Sequence, residues 1–303
     1  MKPLVELIKS LRQFDAESYC VQKVTLINQF FYKNNLTACV IGVSGGIDSA
    51  VSLKLLEQAM HINNSPIKKI LALMMPIHCN GTSGQDQATA RGLELVKQTD
   101  CDYRVQDLTA VTNAYIKQFA DNSQYKANAW AVGQLASIVR TPCLYFHAAL
   151  LQQQGYASIV CGTTNRDEGA YLGFFGKASD ATVDLQPIAD LHKSEVYKLA
   201  KLLDIPDSII NSAPRGDVWD NKTDEEMIGA PYWFIELYLL MKEFNLLDNF
   251  ILNNYLDTVS LIEFQRYAQA IELQHQKNAH KYQVGNPAHF IDCLSRKITG
   301  GWS

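Results

Sequence analysis

Apolar residues recur along this chain in two rhythms. Short aliphatic runs, "ACVIGV" at 38–43, "KILALMMPI" at 69–77, "DYRVQDL" at 102–108 and "YASIVCGT" at 156–163, have the length and β-branched content of strands. Between them, segments 17–33, 49–60, 86–98 and 133–154 space their apolar positions as helices do. Strands alternating with helices predict a parallel sheet covered on both faces, with ligands at the carboxyl ends of the strands. The C-terminal third departs from this rhythm. "KSEVYKLAKLLDIP" predicts a helix stopped at a proline. "TDEEMIGAPYWFIELYLLMKEF" places acids before an aromatic, aliphatic helix that Pro231 begins or interrupts, and "SLIEFQRYAQAIELQHQKNAHKY" predicts another long helix. These extra helices are expected to form a helical subdomain or a dimer surface.

Candidate chemistry gathers at two predicted strand ends. In "GVSGGIDSA" a strand, a glycine-bearing loop and a helix follow in order. Gly45 and Gly46 let the chain turn tightly and bring its N–H groups close to a ligand. Those donors and the start of the helix suit a polyphosphate, and Ser44 and Ser49 add hydroxyls. A glycine pair alone is also a plain βα turn, and Ser or Asp a plain cap; the full string in its setting favours phosphate. Asp48 stands where a lysine is common. A carboxylate beside phosphate oxygens is repelled unless a divalent cation lies between, so nucleotide plus magnesium is expected. In "CGTTNRDEGA", Thr163, Thr164 and Asn165 present short polar groups suited to an adenine or ribose, and Glu168 is a second carboxylate for the same cation. By itself "GTTN" reads equally well as a turn capping the next helix. Further on, Lys177, Asp180, Asp184 and Lys193 form a charged series in an otherwise apolar, aromatic stretch.

Bulk properties narrow the classes. Hydrophobic content of 47% and charged content of 19% are those of an ordinary globule, and a net charge of −4 offers no electrostatic case for nucleic acid. The seven cysteines are odd in number and never in C-x-x-C spacing, which argues against a disulfide framework or a zinc site and for a reducing, cytoplasmic setting. The N-terminus carries acids early and lacks the apolar core of a signal peptide, and no run is long enough to span a membrane. A single domain over 1–303 is expected.

The string S-G-G-I-D-S resembles the pyrophosphatase loop of the N-type ATP pyrophosphatases, which cleave ATP between the α and β phosphates. "GFFGK" and "VDLQPIADLHKSEV", taken with "GVSGGIDSA", "GTTNRDE", "TDEEMIG" and the late His280–Lys281 pair, are similar to the ammonia-dependent NAD synthetases from about Tyr19 to Phe290. That resemblance implies a homodimer with a Rossmann-like (adenine nucleotide alpha hydrolase-like) α/β fold. It also implies two steps: the carboxylate of deamido-NAD attacks the α-phosphate of ATP and releases pyrophosphate, then ammonia displaces AMP. By the match, Ser44, Gly45, Gly46 and Ser49 would hold pyrophosphate, and Asp48 and Glu168 would bind Mg2+. Thr163 would touch the nucleotide, Arg140 and Lys193 would neutralise phosphates, and Asp180 would lie near the pyridine ring or the ammonia. Gln134, Lys177, Asp184, Arg215, His280 and Lys281 would serve the acceptor side. No covalent nucleophile is needed, so catalysis would rest on alignment and charge stabilisation. About forty residues precede the loop, too few for a glutaminase (nitrilase-like) domain, so free ammonia or a separate donor is expected.

Three departures touch the acceptor half. The family's G-N-x-x-A-R-x-R is "GQLASIVR" here, with Gln134 for asparagine and Ile138 for arginine, which removes a guanidinium fork. "PTADLW" is "PRGDVW", bringing in Arg215, and "KYGDGG" is "KASDAT". The alternatives are amidation of another carboxylate such as nicotinate mononucleotide, or a non-catalytic nucleotide binder; retained Asp48, Glu168 and Lys193 argue against the latter. A tRNA-thiolating relative would want paired cysteines and a basic face, and a GMP synthetase a glutaminase; the motifs match neither as well.

Overall fold

A computed structural model describes residues 2–78, 84–120, 126–212, 223–282 and 289–290. The first half alternates as its apolar rhythm predicts: α2 (Ala16–Lys33), β1 (Ala38–Gly42), α3 (Ile47–His61), β2 (Lys69–Met74), α4 (Gly84–Val96), β3 (Asp102–Val105), α5 (Thr109–Ala120), α6 (Ala129–Gln153) and β4 (Ser158–Cys161). Before them lies α1 (Lys2–Arg12), which the sequence reading did not anticipate. After them come a π-helix (Asp167–Leu172), β5 (Leu185–Gln186), α7 (Lys193–Leu202), α8 (Asp207–Ile210), α9 (Asp224–Ile228), α10 (Tyr232–Glu243), α11 (Asn249–Tyr255), α12 (Thr258–Asn278), a 3-10 turn (Ala279–Lys281) and β6 (His289–Phe290).

The sheet runs β3-β2-β1-β4-β5-β6, all pairs parallel. Strand β1 is central: Ile41 lies opposite Ala72 on one side and Cys161 on the other. Its side chains alternate between two buried layers, as a strand covered on both faces requires. Cys39 and Ile41 pack with Ile27 and Phe31 of α2, Leu53 of α3 and Leu199 of α7. Ala38 and Val40 face Leu144, Ala148 and Leu151 of α6. Strand β2 stops at Met74, short of the expected 69–77, because Pro76 has no N–H to continue a ladder. Helix α6 begins earlier than expected, at Ala129, where Asn128 Oδ1 accepts the Ala131 N–H at 2.9 Å.

The C-terminal helices make a second core with α1. Leu4 and Ile8 pack with Phe234, Leu240 and Ile271, and all but three residues of α10 are buried. Pro231 is the cap that begins α10. Helix α10 is thus largely covered within the chain, by α1 and α12. Exposed apolar groups lie at Val111, Tyr115 and Phe119 of α5, at Trp130, Ile138 and Phe146 of α6, and at Val259, Ile262 and Leu273 of α12. No helix among the described residues is long and apolar enough to cross a membrane.

Candidate active site

Strand order reverses its direction of growth at β1, with β2 on one side and β4 on the other, so the chain leaves a crevice beyond their carboxyl ends. The phosphate loop enters it from β1. Gly45 has φ 77°, and a Cβ there would sit 2.1 Å from the Ala88 carbonyl oxygen of α4. Only glycine meets both demands. Inside the loop, Ser44 N–H donates to Ser49 Oγ at 3.2 Å and Ser49 Oγ donates to the Gly46 carbonyl at 2.9 Å. Gly46 caps α3 with no side-chain bond, which leaves first-turn N–H groups directed to a ligand.

Asp48 of α3 meets the second strand end. Asn165 Nδ2 donates to Asp48 Oδ1 at 2.9 Å and to Glu168 Oε1 at 2.7 Å. Lys193 Nζ lies 2.5 Å from Asp48 Oδ2 and 3.5 Å from Glu168 Oε1. Tyr232 donates its hydroxyl to Glu168 at 2.8 Å, and Lys193 sits 4.8 Å from the centre of its ring. Two carboxylates are thus drawn together around one amide and one ammonium. Burial pushes the Glu168 carboxyl up to about 7, with Asp48 and Asp224 adding to the rise and Lys193 opposing it. Burial works against the Lys193 ammonium, but Asp48 and Glu168 outweigh it and hold its pKa above the ordinary lysine value. Once Glu168 is ionised, the two facing carboxylates offer the oxygen ligands that magnesium takes.

Lys193 is gripped at both ends by neighbouring acids. Glu168 faces its ammonium, while Asp167 Oδ2 accepts its backbone N–H at 2.7 Å. Asp167 Oδ1 and His192 Nδ1 share a hydrogen bond of 2.6 Å. Both groups are fully buried: burial raises Asp167 to about 7 and lowers His192 to about 3, so the imidazole is neutral. Glu195 closes the capping box by accepting the His192 N–H at 2.8 Å, and Arg12 of α1 pairs with Glu195 at 2.9 Å.

Beside this cluster lies a cleft of about 160 Å³ lined by Ser44, Arg140, Gly162, Thr163, Ser179 and Asp180 among others. A larger hollow of about 420 Å³ at Lys69, Asp102, Arg104 and Gln154 opens at the amino ends of the strands. It contains no phosphate loop, whereas Ser44 of the loop borders the smaller cleft. Gln186 organises its floor. A Cβ on Gly162 would stand 2.5 Å from Gln186 Oε1; that oxygen accepts the Thr164 N–H at 3.1 Å, and Gln186 Nε2 donates to the Asp180 carbonyl at 2.8 Å. Arg140 Nε donates to the Met75 carbonyl at 3.2 Å.

The remaining sequence candidates divide. Ser44, Gly45, Gly46, Asp48, Ser49, Glu168 and Lys193 converge, with Thr163, Arg140 and Asp180 along the adjoining cleft. Asp180 Oδ2 accepts the Gly176 N–H at 3.1 Å, fastening its own loop, and Lys177 is exposed on that loop. Asp184 is occupied by the sheet, accepting the Val160 N–H at 2.8 Å and the Tyr145 hydroxyl at 3.3 Å. Lys281 donates to the Gly173 and Phe175 carbonyls at 2.8 and 2.6 Å, and His280 is exposed. Gln134 is half-buried on α6 and Ile138 exposed. Arg215 lies outside the described residues. Asn165 differs from its expected part: its side chain is buried between Asp48 and Glu168 rather than presented to an adenine or ribose. The sequence reading passed over Asp167, Gln186, His192, Tyr232 and Arg91. Only the H-x-x-E spacing of His192 and Glu195 carried a local signal, that of a helix cap.

A family model described as NAD synthase matches residues 19–285. The NH(3)-dependent NAD(+) synthetase of Thermococcus sibiricus is 30% identical over 233 residues, covering 76% of this chain and 84% of that relative. The Campylobacter jejuni protein of the same name is 32% identical over 206 residues, covering 68% and 75%. Among solved structures, NMN synthetase from Francisella tularensis aligns with a TM-score of 0.69 at 26% identity, over 89% of this chain and 97% of that one. NH3-dependent NAD synthetase from Campylobacter jejuni aligns with a TM-score of 0.64 at 25% identity, over 88% and 96%.

Proposed function

The chain belongs to the NAD synthase family, and from that premise we propose that it amidates the nicotinate carboxylate of deamido-NAD with ammonia, driven by cleavage of ATP. A carboxylate oxygen attacks the α-phosphorus, the bond to the bridging oxygen breaks, and pyrophosphate leaves. Ammonia then adds to the carbonyl of the mixed anhydride, AMP departs with the electrons of the C–O bond, and one proton is released. The observation that carries this reading is the meeting of Asp48, Glu168 and Lys193 at the mouth of the phosphate loop, beside a cleft edged by Thr163 and Asp180.

Each residue has a task in that scheme. Ser44, Gly46 and Ser49 offer donors to the pyrophosphate, and Arg140 and Lys193 offset phosphate charge. Asp48 and Glu168 would hold Mg2+, which supplies charge neutralisation on the phosphate oxygens when bound. Asp180 stands at the acceptor end. Residues 1–303 act as one catalytic unit, and the exposed apolar face of α5 and α6 supports a homodimer. The odd, scattered cysteines support a cytoplasmic setting.

A second reading has its own support. The structural neighbour with a TM-score of 0.69 is an NMN synthetase, and Gln134, Ile138 and Arg215 all depart from the family pattern on the acceptor side. Under that reading the acceptor is nicotinate mononucleotide and the ATP half is unchanged. The deciding experiment follows pyrophosphate release from ATP, Mg2+ and ammonium with deamido-NAD, with nicotinate mononucleotide and with no acceptor. Release that needs deamido-NAD and yields NAD in step supports the first reading. Release with the mononucleotide alone selects the second, and release with neither overturns both.

A further inference from the structure

The phosphate loop contains no cation of its own, yet α4 places one in contact with it. Arg91 Nε donates to the Gly45 carbonyl at 2.9 Å, at the residue whose positive φ turns the loop. The side chain is half-buried. Among the described residues, neither of its Nη groups has a hydrogen-bond partner and no carboxylate pairs with it. Glu94, one turn along the same helix, is engaged by Ser208 at 2.5 Å instead. A guanidinium fixed at Nε beside a phosphate loop, with its fork bonded to no described protein group, is available to pair with an anion. The nearby loop N–H groups and the start of α3 make an anion the expected visitor.

We propose that Arg91 is a binding residue for the pyrophosphate that leaves ATP, its Nε holding the loop open while its Nη fork takes a β- or γ-phosphate oxygen. This rests on the ATP-cleaving reading above. The side chain then does from α4 what a lysine within the loop does in the common phosphate loop. A fork fixed at one corner by a backbone carbonyl loses little freedom on binding, which suits arginine better than lysine here.

The test uses the full chain and measures binding of magnesium pyrophosphate and, separately, of AMP. The wild type is compared with Arg91→Gln, whose amide retains a donor for the Gly45 carbonyl but no charge, and with Arg91→Ala. The expected result is pyrophosphate affinity lower by about ten- to a hundredfold in both variants, the scale of one charge-assisted pair, with AMP affinity unchanged. Wild-type pyrophosphate affinity in Arg91→Gln overturns the proposal, and shows that the residue only holds the loop if Arg91→Ala is weakened. Equal loss of AMP and pyrophosphate in Arg91→Gln also overturns it, as a general loosening of the crevice. If the wild type binds neither ligand, the ATP-cleaving reading falls first and this proposal with it.

Discussion

Single atoms decide much at the loop. Gly45→Ala is expected to abolish pyrophosphate release and to lower the melting temperature, because the new methyl collides with the Ala88 carbonyl and the residue is held at φ 77°. Asp48→Ala removes a carboxylate from the pair and leaves the Lys193 ammonium without its nearest partner. Turnover should fall by orders of magnitude, and retained turnover would sink its assignment to the metal. The raised Glu168 and Asp167 carboxyls fix the sign of a pH effect. Each holds its proton in the folded protein up to about pH 7, while the unfolded chain loses it near the ordinary 4.5 and 3.8. Between those limits the folded state binds more protons, so stability contributed by these groups is present at low pH and declines as pH rises. Magnesium needs the ionised pair; its stabilisation of the melting temperature should be larger at pH 8 than at pH 5.5, and Glu168→Gln should flatten that difference. Much of this was legible from residues alone: a glycine at a tight turn and an aspartate beside phosphates announce themselves by type. Asn165 did not, since an amide reads alike whether it meets a nucleotide or two carboxylates.

At the scale of elements, the site depends on how the π-helix and α7 are locked together. Asp167 and Glu168 are consecutive, yet one holds the backbone and the other the ammonium of Lys193. Asp167→Ala should therefore lower kcat more than it raises the KM for ATP, with Asp167→Asn recovering part of the loss. Equal values for Asp167→Ala and wild type would show that α7 needs no such anchor. On the far side of the π-helix, α12 and the turn after it hold backbone carbonyls: His275 that of Tyr171, Asn278 that of Leu172, and Lys281 those of Gly173 and Phe175. The sequence marked α12 as a helix by its periodicity, but long-range side-chain bonds to carbonyls leave no trace in a pattern of apolar positions. The same limit hid α1, whose Arg12 is buried against Glu195 only because the fold brings residues 183 positions apart into contact.

For the whole molecule, strand alternation fixed the sheet's class while its order had to be seen. Four predicted runs imply a parallel sheet, but no local feature says that β1 ends up between β2 and β4. The exposed apolar groups make a further prediction at this scale. Phe146→Glu and Trp130→Glu, at 62% and 57% exposure, should convert a dimer to monomer in sedimentation velocity without unfolding the chain; a wild type already monomeric at micromolar concentration would refute the homodimer. The arrangement of the crevice also bears on how the protein is made. Asp48 and Lys193 are 145 positions apart, and Ile41 must wait for Cys161 before β1 has both neighbours. On a ribosome adding about 5–20 residues per second, the loop is synthesised roughly 7–30 s before its lysine. A nascent chain arrested before α7 would hold the glycine loop in full and have no grip on ATP, so nucleotide affinity should arise late and abruptly as the chain lengthens.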